Sequence, residues 1–441
     1  MIEKYLVKKI TEPVDWKVTV PGSKSMTNRA LLMAVLSAGT VRVEGVLFSD
    51  DSRHFLACLV ALGFTVEIEE EKKCVTVTGC GGRIPRGEAV IDVGSAGTAA
   101  RFLAAMLGFS DGCYEIRCSA QMKRRPMAEL FDLLSGAGAK ITFLEEEGHL
   151  PVRITGCRYA RADKTAGETP RELSLDITKS TQFLSALLLI APMVPEGMKI
   201  HITSEKTDGS YIRITRRMMQ EFGVSVAFDG RDYEVPCRSS YQKETYMVEP
   251  AMSAACYFYA AAAVTGGRAL VRHVHMDNTQ GDLRFLEVLE HMGCTADDTP
   301  EGVLVTGPAD GALRGITVNM NDFSDQALTL AAIAPFADAP VRIEGIGHIR
   351  GQECDRIHAI QTNLTALGIR CEEKETAATI YPGSPHGGSV ETYDDHRVAM
   401  AFSLVGLRTD GIVIENPACC RKTFENYFTV LSELTGKKTE A

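Results

Sequence analysis

The chain has 441 residues, 45% of them hydrophobic and 24% charged, with a formal net charge of −10. That length is too great for one ordinary core and suits two domains of about 200 residues each. The acidity argues against nucleic acid or an anionic membrane as a partner, while leaving room for a local basic cleft and a small anionic substrate. Apolar runs such as Phe183 to Met193 are too short to span a bilayer. The start, Met1 to Ile10, shows neither a signal-peptide core nor a transit-type composition, so a cytoplasmic location is expected. The 13 cysteines are scattered, and Cys354 and Cys419-Cys420 lack CxxC or zinc spacing, so they read as reduced thiols.

Along the chain a short pattern recurs: an amphipathic run, a small or apolar residue, a glycine, then an alternating strand. It appears at Ala61-Leu62-Gly63-Phe64-Thr65-Val66, Gly138-Ala139-Lys140-Ile141 and Phe222-Gly223-Val224-Ser225-Val226, then at Met292-Gly293-Cys294 and Leu367-Gly368-Ile369-Arg370-Cys371. The last helix stops in a similar way at Leu434-Thr435-Gly436. The glycines at 63, 138, 223, 293, 368 and 436 lie 68 to 85 residues apart, each where a helix needs a left-handed C-terminal residue. Strands such as Val75 to Thr78 and Val303 to Thr306 then end in Gly79 and Gly307.

Each repeat also carries an earlier helix rich in Ala, Leu and Phe, beginning near Ser25, Gly97, Ser180, Ser253, Asp325 and Asp395. Helices apolar all round are expected inside and the amphipathic ones outside. The expected fold class is therefore α/β, with six β-α-β-α-β-β units, three per domain. The expected domains are residues 20–247, and residues 1–19 together with 248–441, with the break near Met247-Val248-Glu249-Pro250.

The polar motifs sit almost entirely at the starts of the apolar helices: Gly22-Ser23-Lys24-Ser25, Gly94-Ser95-Ala96-Gly97-Thr98, Lys179-Ser180-Thr181-Gln182, Ser324-Asp325-Gln326 and Asp394-Asp395-His396-Arg397. A helix N-terminus offers free N–H groups and a positive dipole end to phosphate or carboxylate. Ser, Thr and Gly are also ordinary caps, so the weight lies in the repetition and the neighbouring basic residues. No Walker loop and no G-x-G-x-x-G following a strand is present, so a nucleotide cofactor has no support. His396 is the one histidine in a charged helix-start cluster, and with no HExxH or HxH pairing no metal is expected.

Pro21-Gly22-Ser23-Lys24-Ser25 with Asn28-Arg29, then Ala96-Gly97-Thr98-Ala99 with Arg101, resemble the first signatures of the 5-enolpyruvylshikimate-3-phosphate synthase family. Met122-Lys123-Arg124-Arg125-Pro126-Met127, Ser180-Thr181-Gln182-Phe183, Glu353-Cys354-Asp355-Arg356, Asp394-Asp395-His396-Arg397 and Lys422-Thr423-Phe424 continue the likeness in family order. The resemblance implies a two-domain inside-out α/β barrel closing over substrates in the inter-domain cleft. It implies transfer of the enolpyruvyl group of phosphoenolpyruvate to the 5-hydroxyl of shikimate 3-phosphate, without a cofactor, in a monomer inhibited by glyphosate. It further implies that Lys24, Gly97, Arg125, Gln182 and Lys422 hold the phosphate of phosphoenolpyruvate, and Arg356 and Arg397 its carboxylate. Ser25, Arg29, Ser180, Thr181, Gln182 and Tyr211 would hold shikimate 3-phosphate, with Lys24, Asp325 and Gln352 adjoining it. Asp325, Glu353 and Lys24 would handle protons. Taken alone, Asp325 also reads as a helix cap and Glu353 as a first-turn carboxylate.

Three positions depart from the family pattern. Gln352 stands where Lys is frequent, His348 where Asn is common, and Ala251 where Asp often follows the pair Glu249-Pro250. A neutral amide at 352 weakens the hold on shikimate 3-phosphate unless another cation, such as Lys179, compensates. The alternatives are the sister enolpyruvyl transferase acting on UDP-N-acetylglucosamine, in which Asn follows the first Lys, and a non-catalytic phosphometabolite-binding homologue.

Overall fold

The computed structural model describes residues 3–157, 170–308 and 312–436. The chain divides into two compact units, one spanning residues 22–249, the other uniting residues up to 21 with those from 250 onward.

In residues 22–249 the second repeat shows the building plan. Strand Glu88–Asp92, helix Gly97–Gly108 and strand Cys113–Arg117 form a parallel crossover. Helix Ala128–Gly136 and the antiparallel strands Lys140–Phe143 and Val152–Thr155 complete it. The order is β-α-β-α-β-β, as the repetition in the sequence indicates. All three sheets of this unit follow the same four-stranded plan. In the first of them, Thr245–Met247 pairs in parallel with Thr40–Glu44, so the end of the unit closes on its beginning.

The other unit has three sheets as well. Two take a strand from the chain start: Asp15–Val18 runs parallel to Arg268–Arg272, and Lys4–Leu6 antiparallel to Ile412–Glu415.

The apolar helices lie innermost because they have no polar face to give to water. Every residue of Gly97–Gly108 is buried, as is everything from Phe183 to Ile190 in Thr181–Ile190. Each fully buried Leu or Phe there contributes about 1.5–3 kcal/mol. The strands alternate instead: in Thr40–Glu44, Val41 and Val43 face the core while Thr40 is exposed, the pattern of a sheet with one wet face. Each unit thus has its own apolar core, helices inside and sheets outside. All six repeat glycines have positive φ, from 63° at Gly436 to 102° at Gly293. That conformation is costly for any residue with a Cβ; at the first five of these glycines it turns an outer helix into the next strand, and at Gly436 it follows the last helix.

Candidate active site

In residues 22–249 the cationic groups gather at the starts of the inner helices. Lys24 opens helix Lys24–Leu36, and its ammonium lies 3.2 Å from Asp51 Oδ2, itself buried in the first turn of helix Asp50–Ala61. Arg29 follows one turn later and is 1% exposed. Its Nε donates to Thr215 Oγ1 (2.8 Å), its Nη1 to the Ser25 carbonyl (2.9 Å), and its Nη2 to Ser185 Oγ and the Tyr211 carbonyl (both 3.3 Å). The guanidinium lies over the rings of Phe102 and Tyr211. Burial pulls Arg29 down to about 10, so it stays charged at neutral pH. No carboxylate pairs with it among the described residues, and a buried cation held only by neutral acceptors favours an incoming anion.

Gly97 begins its helix directly against Arg125. A methyl on Gly97 would stand 2.4 Å from Arg125 Nη1, so only glycine lets the guanidinium lie against the helix start. Arg101 Nη1 donates to Gln182 Oε1 at 2.6 Å. This fixes the Gln182 amide so that its nitrogen is the end able to donate to an anion. Ser180 caps the same helix, its Oγ accepting from the Gln182 N–H, and Thr181 follows it half-buried. Lys179 is ion-paired with Glu129 at 2.5 Å.

The other unit carries a ladder of alternating charge. Lys422 lies 3.3 Å from Glu353 Oε1, and Glu353 Oε2 lies 2.9 Å from Arg356 Nη2. Arg356 Nη1 lies 3.1 Å from Asp325 Oδ1, and Asp325 Oδ2 lies 2.8 Å from Arg397 Nη2. Asp395 accepts from Arg356 Nε at 2.8 Å and also caps helix His396–Arg408 through the Arg397 N–H. Gln352 Oε1 accepts from Arg356 Nη1, and Asp395 Oδ1 from Nη2 at 3.4 Å, so all five N–H groups of Arg356 are engaged. Burial opposes the charge of Arg356, but Asp395, Glu353 and Asp325 outweigh it and hold the guanidinium charged. Three cations (Arg356, Arg397, Lys422) face three carboxylates (Asp325, Glu353, Asp395), which makes so dense a buried cluster tolerable.

Local structure settles two alternatives left open by the sequence. Asp325 is not a cap: it lies inside the 3-10 turn Ser324–Gln326, and both its oxygens face guanidinium groups. Glu353 is not a first-turn carboxylate, because helix Arg356–Ala366 starts after it, capped by Asp355 through the His358 N–H. His348 Nε2 lies 2.8 Å from Ser324 Oγ, which ties the loop bearing Gln352 to the turn bearing Asp325.

Sequence reading missed Asp51, the joint role of Asp395, and Ser185 and Thr215 around Arg29. Asp51 had a faint signal in Ser49-Asp50-Asp51-Ser52, but acids in a first turn usually serve the helix dipole. Among the described residues no group of three or more His, Cys, Asp or Glu is placed to hold a metal, and no helix is long and apolar enough to cross a membrane.

Among the described residues five repeats carry the expected four-stranded sheet and the sixth only a three-stranded one, Gly388–Val390 and Ile412–Glu415 joined by Lys4–Leu6 from the chain start. These repeats, with cations clustered at inner helix starts and carboxylates interleaved in one unit, define the class: a repeat-built α/β protein equipped to act on small, multiply charged anions. Residues 8–431 match the family model described as EPSP synthase (3-phosphoshikimate 1-carboxyvinyltransferase). A 3-phosphoshikimate 1-carboxyvinyltransferase from Trichormus variabilis is 41% identical over 429 residues, covering 97% of this chain and 98% of that protein. Another from Sulfurovum sp. is 39% identical over 426 residues, covering 96% and 97%. The solved EPSP synthase of Acinetobacter baumannii superposes with a TM-score of 0.78 at 25% identity, over 98% of this chain and 97% of that one. The chain belongs to the EPSP synthase family.

Proposed function

We propose that this chain transfers the enolpyruvyl group of phosphoenolpyruvate to the 5-hydroxyl of shikimate 3-phosphate, by addition and elimination. The observation that carries the reading is the ladder Lys422–Glu353–Arg356–Asp325–Arg397, in which two candidate proton-handling carboxylates are each flanked by cations. Addition forms a C–O bond between the 5-oxygen and C2 of phosphoenolpyruvate and a C–H bond at its methylene. Asp325 takes the hydroxyl proton, while Glu353 or Lys24 supplies the methylene proton. Elimination breaks the bond from C2 to the phosphate oxygen and returns a methyl proton to the protein.

Cations do the binding because both substrates are multiply anionic. Lys24, Arg125, Lys422, Gln182 and the Gly97 N–H hold the phosphate of phosphoenolpyruvate, and Arg397 and Arg356 its carboxylate. Arg356 reaches a ligand only by exchanging a partner, and Gln352 is the one whose loss separates no charges. Ser25, Arg29, Ser180, Thr181, Gln182 and Tyr211 hold shikimate 3-phosphate, with Arg29 supplying a buried charge. Lys179, committed to Glu129 and largely exposed, is a poor replacement for the lysine that Gln352 displaces. We read the chain as a monomer, each unit burying its own apolar core.

The test is phosphate release from phosphoenolpyruvate in the presence of EDTA. Release is expected with shikimate 3-phosphate and not with UDP-N-acetylglucosamine or with no acceptor. Release with the nucleotide sugar, or recovery only on adding a divalent ion, overturns the proposal.

Gly97→Ala must displace Arg125, so the Michaelis constant for phosphoenolpyruvate is expected to rise. Glyphosate has one more chain atom between its phosphorus and its carboxyl carbon, and so less slack to follow the shift. Its inhibition constant is expected to rise further, by about tenfold or more, roughly 1.4 kcal/mol. Equal glyphosate inhibition of both proteins would show that Arg125 does not touch this ligand.

A further inference from the structure

Behind the Asp325 turn lies a carboxyl group that the chemistry above does not use. Asp282 sits in the 3-10 turn Gly281–Arg284, is 8% exposed, and makes no ion pair among the described residues. Its Oδ2 accepts a hydrogen bond from Gln326 Nε2 at 3.0 Å. Gln326 is fully buried, and its Oε1 accepts from Thr329 Oγ1 at 2.9 Å. Its amide is therefore gripped at both ends, one as donor and one as acceptor. Gln326 directly follows Asp325, so whatever holds its side chain also sets the backbone from which Asp325 reaches Arg356 and Arg397. Gln280, two residues before Asp282, is clamped too: its Nε2 donates to the Pro250 carbonyl (2.7 Å) and its Oε1 accepts from the Met252 N–H (3.2 Å). Residues 280–282 thus brace the start of helix Met252–Thr265 against the turn that bears Asp325.

We propose that Asp282 is a positioning residue for enolpyruvyl transfer, fixing through Gln326 the turn that presents Asp325. The proposal rests on the reading of Asp325 as the group that takes up the hydroxyl proton. The surroundings of Asp282 suit the task. Burial, and next the charge of Asp325, push its carboxyl up to about 7, against the opposing pull of Arg397, Gln326 and Arg356. The buried thiol of Cys256, which donates to the Asp282 main-chain carbonyl at 3.7 Å, adds no charge of its own at neutral pH. A carboxyl that carries its proton for much of the time can stand beside Asp325 without repelling it, and still accept from Gln326.

Steady-state kinetics with both substrates, together with thermal unfolding, test this on the full chain. Asp282→Ala is expected to lower kcat about tenfold to a hundredfold, the scale of a misplaced reacting group, with both Michaelis constants within about threefold of wild type. Asp282→Asn, neutral and still an acceptor, is expected to recover most of the lost kcat. Gln326→Leu is expected to reproduce the loss, and Asp282→Ala/Gln326→Leu to be no worse than either single change. A folded Asp282→Ala variant with wild-type kcat, a loss confined to the Michaelis constants, or losses that multiply in the double variant would overturn the proposal. If Asp282→Ala fails to fold, the comparison of Asp282→Asn with Gln326→Leu decides: a higher kcat for Asn supports it, and equal values overturn it. Asp325→Ala belongs in the same series. If Asp325→Ala is inactive while Asp282→Ala is normal, only the positioning role fails. If Asp325→Ala is itself fully active, the reading of Asp325 fails and the positioning role falls with it.

Discussion

Asp325→Ala and Glu353→Ala are each expected to lower kcat by about 10²–10⁴-fold, the usual contribution of a general acid or base. The Michaelis constants should move far less, because neither carboxylate attracts an anionic substrate. Each sits between two cations: Asp325 between Arg356 and Arg397, Glu353 between Arg356 and Lys422. Alanine therefore also releases cationic donors, which can take hold of substrate oxygens instead. Kinetics at saturating concentrations of both substrates separate the effects. The amide variants Asp325→Asn and Glu353→Gln keep the shape and lose the ability to exchange a proton, and should fall as far in kcat. An amide variant retaining near wild-type kcat would remove its residue from proton transfer.

Arg356→Ala is expected to cost about 3–5 kcal/mol of stability, the range for removing one partner from a buried ion cluster. The mechanism is specific. Arg356 touches Asp325, Glu353 and Asp395 together, and Asp395 is fully buried. Without Arg356, these carboxylates lose the cation they share, with Arg397 left beside Asp325 and Lys422 beside Glu353. Urea unfolding measures the loss. Arg356→Lys should recover little, since an ammonium cannot span three carboxylates and an amide as a planar fork does. Equal urea midpoints for Arg356→Ala and wild type would mean that the cluster is held by other contacts.

The parts of this protein that were legible in the sequence are those set by local chemistry. Gly63, Gly138, Gly223, Gly293, Gly368 and Gly436 mark helix ends because the left-handed conformation they adopt is cheap only for glycine. The inner helices are legible because Gly97–Gly108 and Thr181–Ile190 have no polar face to offer solvent. What escaped reading depends on which helix starts meet. Asp395 looks like a cap, and is one, but its second partner, Arg356, lies 39 residues earlier in the chain. Asp51 looks like a dipole-stabilising acid until the fold sets it beside Lys24. The pair of Arg101 with Gln182 spans 81 residues, and the cradle of Thr215 and Ser185 around Arg29 spans as many as 186. Individually these residues are ordinary Asp, Gln, Ser and Thr, and only the fold brings them to their partners.

The most direct measurement of addition and elimination is isotope exchange. The reaction is run in D₂O with phosphoenolpyruvate and shikimate 3-phosphate, and the recovered enolpyruvyl product is read by ¹H NMR and mass spectrometry. Protonation of the methylene makes a methyl group whose hydrogens scramble before one is removed. The product is therefore expected to carry deuterium at its vinyl carbon, with none entering phosphoenolpyruvate when shikimate 3-phosphate is left out. Product free of deuterium, formed at the full rate, would contradict protonation at the methylene, and with it the role given to the ladder of Lys422, Glu353, Arg356, Asp325 and Arg397.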